Sequence, residues 1–377
     1  MDSSATPAGD DRLLSCLAVM VREGASDLFL LAGAPPTIKR QGAFVPITQA
    51  PLAAQQVREL AYSVLQPVQV AQFEAQKECD LAFDAPGVGR FRMNLMVHRG
   101  QVGLVARHVP SAVASLDALG LPPVLRQLAM LQNGLVLAVG AAGSGKTTTI
   151  ASMLDHRNQT AAGHILTIED PIEYLHVHKR SLVTQREVGF DTLSYDDALR
   201  HAMREAPNVI LIGEIRDRVT MQHAMHYAES GHLCLSTLHA ANASQAIQRI
   251  LNFFPETARQ QLLMDLSLNL RAVVALRLVV GVRGLLVPAT EVMLQTPYVA
   301  DLIQKGQVDE LRTAIRRGGE PGMGSFDQSL YALQESGAIS AAEAIAHADS
   351  RTDLTLRMRL TANARHGASA EEGGDAG

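Results

Sequence analysis

Apolar positions along the chain change period several times, and each change marks an element. Leu13, Leu14, Leu17, Ala18 and Val21 recur at helical spacing behind Asp10 and Asp11, either of which can cap a helix, and Gly24 closes the segment. Residues 27–31 then read as a strand, residues 37–39 and 44–47 as a hairpin around Gln41 and Gly42, and Val57, Leu60, Ala61, Val64 and Leu65 as a second amphipathic helix. Three more strands are expected over 80–83, 89–97 and 102–109, separated by Ala85-Pro86-Gly87 and Arg99-Gly100. In the middle one Phe91, Met93, Leu95 and Val97 alternate with Arg90, Arg92 and Asn94, as a half-buried strand requires. Residues 12–110 are therefore expected to form a small α+β unit with an antiparallel sheet. Arg90, Arg92, Arg99 and Arg107 read as a basic stripe on its solvent side, which is either an ordinary hydrated face or a place for an anion.

Residues 111–123, SAVASLDALGLPP, read as a linker, and beyond them the rhythm changes. A helix over 124–131 leads into an uninterrupted apolar strand at 135–139, and strands at 164–168, 209–212 and 233–238 then alternate with helical pattern. Such alternation predicts α/β architecture, a mainly parallel sheet wrapped by helices. After Pro255 the pattern turns helical, with Val308, Leu311 and Ile315 on one face and Gly318 as the stop. Ser325 with Gln328, and Ser340 with Glu343, fit capping boxes. This last third carries no catalytic motif and is expected to supply packing and partner surface, so the second domain spans 124–361. The ends, 1–11 and 362–377, are polar, small and aperiodic, and are expected to be disordered tails.

Between the apolar strand and the following helix lies GAAGSGKTT, residues 140–148. Gly140, Gly143, Gly145, Lys146 and Thr147 fit G-x-x-x-x-G-K-[ST], a loop whose backbone N–H groups curl around phosphates at a helix N-terminus. Gly140, Ala141, Ala142, Gly143, Ser144, Gly145, Lys146, Thr147 and Thr148 are the expected nucleotide-binding residues. Lys146 suits the β/γ-phosphates and Thr147 suits Mg²⁺, so ATP and Mg²⁺ are the expected cofactors. Hydrolysis also needs carboxylates near the metal and the water. Glu169, after the strand at 164–168, and Glu214, after the strand at 209–212, stand where ligands of a parallel sheet bind. Singly, such residues are more often strand-end carboxylates meeting solvent; two behind a phosphate loop read as Glu169 near Mg²⁺ and Glu214 polarising water. His232 and His239 bracket the strand LCLSTL and are candidates for contact with phosphate or with a neighbouring subunit.

Composition narrows the field. With 377 residues the chain holds two cores, and 47% hydrophobic against 19% charged residues describe a globular protein. A net charge of −5 and no Trp argue against nucleic acid as a partner. Arg271, Arg277 and Arg283 interrupt the greasiest region, so no membrane span is expected, and an acidic, small-residue start points to the cytoplasm. Cys16, Cys79 and Cys234 lie far apart, suggesting inert thiols and no zinc site.

These motifs, in this order, resemble the secretion-type ATPases, and among them the PilT/PilU retraction ATPases of type IV pili. The matching stretches are the phosphate loop, TIEDPIEY (167–174), ILIGEIRD (210–217) and GHLCLSTLHA (231–240), with ASDLFLLAGAPP, GRFRMN, QREVG, GSFDQSL and HADS outside them. The resemblance implies a PAS-like α+β N-terminal domain, a RecA-like ATPase domain and a homo-hexamer. It implies a catalytic role for Glu214, metal support from Glu169, and an approach of N-terminal arginines to nucleotide, among which Arg90, Arg92, Arg99 and Arg107 lie in the matching region. It implies, too, a place at the inner membrane through a pilus platform protein. The FLLAGAPP and IKRQG wording looks more like PilU than PilT. The chain departs from the pattern at Asn208, where Asp is usual, at Ala141-Ala142, where Pro-Thr is usual, and at AIRR (314–317), which matches only the start of AIRNLIRE. Two functions follow as expectations, an ATP-driven retraction motor and an accessory subunit dependent on a PilT-type partner. A DNA translocase is disfavoured by the charge.

Overall fold

The computed structural model describes residues 9–40 and 42–372, with side chains through 361. The chain divides into two compact units, one running to Ala112 and including Ile172–Leu175, the other comprising Val113–Pro171 and everything from His176 onward.

In the first unit, helix α1 (Asp11–Arg22) starts at Asp10, whose carboxylate accepts from the Arg12 N–H, and buries Leu13, Leu17 and Met20. Strands β1 (Asp27–Leu30), β2 (Thr37–Arg40), β3 (Ala43–Pro46), β4 (Glu78–Ala85), β5 (Gly89–His98) and β6 (Gln101–Val109) form an antiparallel sheet in the order β3-β2-β1-β6-β5-β4. Helix α2 (Ala54–Tyr62) follows the apolar pattern, and α3 (Pro67–Gln76) is a helix that pattern did not mark. Phe91, Met93 and Leu95 are buried, whereas Arg90, Arg92 and Asn94 stay half-exposed, as the alternation requires.

The second unit is built on strands β7 (Gly134–Val139), β8 (Gly163–Glu169), β9 (Ser181–Glu187), β10 (Val209–Ile212), β11 (Leu233–Leu238), β12 (Leu270–Val280) and β13 (Leu286–Leu294), ordered β13-β12-β7-β11-β10-β8-β9. All neighbours are parallel except β12 with β13. Leu135, Leu137 and Val139 of β7 enter one apolar layer while Val136 and Ala138 enter the other. A strand buried on both faces has no polar side to show, which is why it reads as an unbroken apolar run.

Helices α4 (Val124–Ala129) and α5 (Lys146–Thr160) flank β7 in the chain. They are followed by α6 (Tyr195–Ala202), α7 (Arg218–Glu229), α8 (Ala243–Asn252), α9 (Glu256–Asn269), α10 (Pro297–Gln304), α11 (Leu311–Arg317), α12 (Phe326–Glu335), α13 (Ala341–His347) and α14 (Arg351–Glu372).

Three expectations need correction. The chain after Pro255 is not wholly helical, because β12 and β13 add an edge to the sheet; Arg271, Arg277 and Arg283 disguised an apolar strand pair. The tail expected from 362 continues as helix α14 to Glu372, and its remainder, with residues 1–8 of the expected N-terminal tail, lies outside the described residues. At Ser340 only half of the capping box forms. Ser340 Oγ accepts the Glu343 N–H, but the Glu343 carboxylate accepts from Val280 N on β12 at 2.7 Å. Among the described residues no helix is long and apolar enough to cross a membrane, and Cys16, Cys79 and Cys234 are free thiols.

Candidate active site

Strand β7 ends at Val139 and the chain turns through a loop of small residues into α5. Gly140 sits at φ 157°, where a Cβ would stand 2.2 Å from Ser144 Oγ and 2.7 Å from the Leu276 carbonyl. Gly143 and Gly145 have φ of 74° and 92°, left-handed values that only glycine takes without strain. Lys146, the first residue of α5, is buried and folds back so that Nζ donates to the carbonyls of Gly140 at 3.1 Å and Ala141 at 2.8 Å. Ser144 Oγ is buried with no hydrogen-bond partner among the described residues, and Thr147 and Thr148 are half-buried on the first turn. A groove of about 290 Å³ opens beside the loop, lined by residues 140–144, Ala241, β12 at Leu276–Leu278, and His347.

The carboxylates leave the same edge of the sheet. Strand β11 lies between β7 and β10, so Glu214 departs two strands from the phosphate loop, roughly 10 Å at ~4.8 Å per strand. Ser236 Oγ donates to Ile212 O, Thr237 Oγ1 to Gly213 O, and Ile215 N to Thr237 O, which strap the end of β10 to β11 and fix the point from which Glu214 projects. Glu214 Oε2 takes the Nε of Arg216 at 2.8 Å, and Oε1 lies 3.1 Å from His239 Nε2. Arg216 also reaches Asp170 at 3.1 Å, and its bond to Glu214 holds its guanidinium still more firmly protonated. Glu169 is buried; Thr167 Oγ1 donates to its Oε1 at 2.7 Å and Gln185 Nε2 at 3.2 Å. It leaves one strand further from the loop than Glu214 does.

Two sets of candidate residues are spread out. His239 joins Glu214, but His232 lies at the other end of β11, its carbonyl accepting from Gly134 N where β7 begins. The intervening strand sets the two histidines about 20 Å apart, so His232 does not belong to the site around Glu214. The four arginines are not one stripe either. Arg99 sits in the β5–β6 turn, while Arg90, Arg92 and Arg107 lie toward the other end of the hairpin. Arg90 pairs with Asp84 at 3.1 Å and Arg107 with Asp27 at 2.8 Å, whereas Arg92 stands directly opposite Arg107 in register.

Arg216, Arg277 and His347 escaped the reading of the sequence. Arg216 had a signal, two residues beyond Glu214 in ILIGEIRD. Arg277 and His347 had none, because only the unexpected β12 brings position 277 beside the loop, where its guanidinium stacks on Phe326 and pairs with Asp349. Asn208, the departure ahead of β10, accepts the His164 N–H at 2.8 Å and donates its own N–H to His164 O at 2.8 Å, tying the starts of β8 and β10 at the edge away from the site.

The family model for type II/IV secretion system protein matches residues 87–308. The chain is 48% identical over 349 residues to the type IV pilus ATPase PilU of Pseudomonas aeruginosa, covering 91% of this chain and 90% of that one. It is 42% identical to the type IV pilus retraction ATPase PilT of the same organism, over 86% of this chain and 94% of that one. A crystal structure of the pilus retraction motor PilT with bound ADP superposes with a TM-score of 0.85 at 37% identity, covering 91% of this chain and 98% of that one. A phosphate loop on the same sheet edge as Glu214, in a fold shared along nearly its whole length with a retraction motor solved with bound ADP, leads to one conclusion: the chain belongs to the type II/IV secretion system ATPase family, on its PilT/PilU branch and with the greater likeness to PilU.

Proposed function

We propose that the protein is a Mg²⁺-dependent ATPase subunit of a homo-hexameric motor for type IV pilus retraction and twitching motility. The observation that carries this is Lys146 folded over its glycine loop on the same sheet edge as Glu214. On this reading residues 140–148 hold the phosphates. Glu214 orients water: the water oxygen bonds to the γ-phosphorus, the β–γ bridging bond breaks with its electrons left on ADP, and the proton passes to Glu214. His239 and Arg216 set the direction of the Glu214 carboxylate.

The donor set fits Mg²⁺, a hard cation that takes few protein oxygens beside phosphates and water. Thr147 would supply the hydroxyl that holds it, and Glu169 would support it from one strand further out. The metal would neutralise charge building on the phosphates. Of the N-terminal arginines, Arg92 is the one we assign to an anion, since Arg90 and Arg107 already have carboxylates and Arg99 lies away in the β5–β6 turn.

On this reading the motor works at the inner membrane through a pilus platform protein. The higher identity to PilU and the truncated AIRR stretch favour a subunit that works with a PilT-type partner ATPase. Mg²⁺-dependent ATP hydrolysis by the purified protein, with and without that partner, tests both parts. No hydrolysis in either mixture, or hydrolysis indifferent to Glu214→Gln, rejects the reading.

A further inference from the structure

Two tyrosines packed into the core of the second unit are treated differently. Tyr227 is fully buried and its hydroxyl donates to the Leu199 carbonyl, as a structural buried phenol should. Tyr195, the first residue of α6, packs its ring against the same core, yet its hydroxyl is buried with no partner among the described residues. A buried hydroxyl in that condition carries a desolvation cost that nothing in the chain returns, and in folded proteins it marks a water, a ligand or a chemical role.

Its position says which. Gly213 N donates to Ile168 O at 2.8 Å, joining β10 to β8 one residue before each catalytic candidate departs. A Cβ on Gly213 would stand 3.0 Å from Tyr195 Oη, 3.2 Å from Glu169 Cα and 3.3 Å from Ile168 O. The hydroxyl thus stands over Gly213, beside the points from which Glu169 and Glu214 leave the sheet. The charged groups that face it are Asp170, Arg216, Glu169 and Glu214. Burial first, then those carboxylates, push the phenol well above its ordinary pKa, so it keeps its proton at physiological pH.

We propose that Tyr195 is a positioning residue for hydrolysis: its hydroxyl holds, opposite the Glu214 carboxylate, the water that attacks the γ-phosphate. This deepens the ATPase reading and rests on it. Tyr195 neither gains nor loses a proton in the step; it restricts the water to the direction from which Glu214 takes one.

The test pairs Tyr195→Phe with Tyr227→Phe in the full chain, reading kcat, KM for ATP, melting temperature and trapping of ADP by aluminium fluoride. Tyr195→Phe should lower kcat and trapping about tenfold with KM unchanged and the melting temperature equal to or above that of the parent, because no bond in the fold is lost and an unreturned desolvation cost is removed. Tyr227→Phe should lower the melting temperature and leave kcat alone. Wild-type kcat and trapping in Tyr195→Phe overturn the proposal, as does a loss of kcat matched by a fall in melting temperature like that of Tyr227→Phe. If neither hydrolysis nor trapping in the parent protein depends on Glu214, the ATPase reading fails and takes this one with it, an outcome distinct from the other two.

Discussion

The seven-stranded and six-stranded sheets carry their charged residues in opposite ways. In the parallel sheet Lys146, Glu169, Glu214 and His239 all lie at or beyond the C-terminal ends of strands β7, β8, β10 and β11. Parallel strands end at one edge, so residues far apart in sequence meet without any charge entering the apolar layers. In the antiparallel sheet successive strands end at opposite edges, and the arginines lie along a face. There Arg90 and Arg107 are matched by carboxylates across the ladder, and Arg99 is carried away by the hairpin. A parallel edge concentrates chemistry, whereas an antiparallel face disperses it.

The largest effects should therefore come from the edge. Lys146→Ala removes the ammonium that spans the loop and should cut ATP hydrolysis about 10³-fold. Glu214→Gln, which keeps size and loses the base, should cost about 10²-fold in kcat while ADP binding persists. The two histidines of β11 make the sharpest internal control. His239→Ala, losing the group at Glu214, should lower kcat about tenfold, and His232→Ala at the far end should leave it unchanged. Steady-state kinetics decides each. Equal losses at 232 and 239 would break the comparison, because the edge would then not be what matters.

The same contrast explains what the sequence disclosed. An apolar run followed by a functional residue is a local signal, so β7, β8, β10 and β11 and the groups after them were legible from spacing alone. Strands β12 and β13 were not, since Arg271 and Arg277 broke the apolar run of β12, and with them went Arg277 and His347 beside the phosphate loop. Tyr195 was invisible for another reason. Nothing in the chain from 195 to 213 says that α6 will lay its first side chain over Gly213. Arg90 and Arg92 were placed on the correct face by alternation, but pairing across strands, which decides their neighbours, is a property of register.

A buried charge away from the edge should be a cost with no return. Glu291 on β13 is buried and accepts the Ala243 N–H at 2.9 Å. Burial raises its pKa, a rise only partly offset by that bond. Because the folded value lies above the unfolded one, its contribution is most favourable below the ordinary carboxylate pKa and is lost as pH rises through the folded value. Glu291→Gln keeps the acceptor and should raise the melting temperature by about 2–4 °C at pH 8, with the gain shrinking toward pH 4. A gain that does not vary with pH would show that charge is not the cause.

The smallest effect returns to the antiparallel face. Arg92 stands directly across from Arg107, and like charges in that position destabilise a sheet. Asp27 answers Arg107 but, among the described residues, no ion pair answers Arg92. Arg92→Thr should therefore raise stability by ~0.5 kcal/mol, an increment that fades in high salt because it is electrostatic. Chemical denaturation at two salt concentrations measures it. If the same substitution also weakens ATP turnover, the residue is held against the interest of the fold, as expected of an arginine retained for an anion. If it lowers stability instead, Arg92 belongs to the sheet, and the face of the first unit is only a hydrated surface.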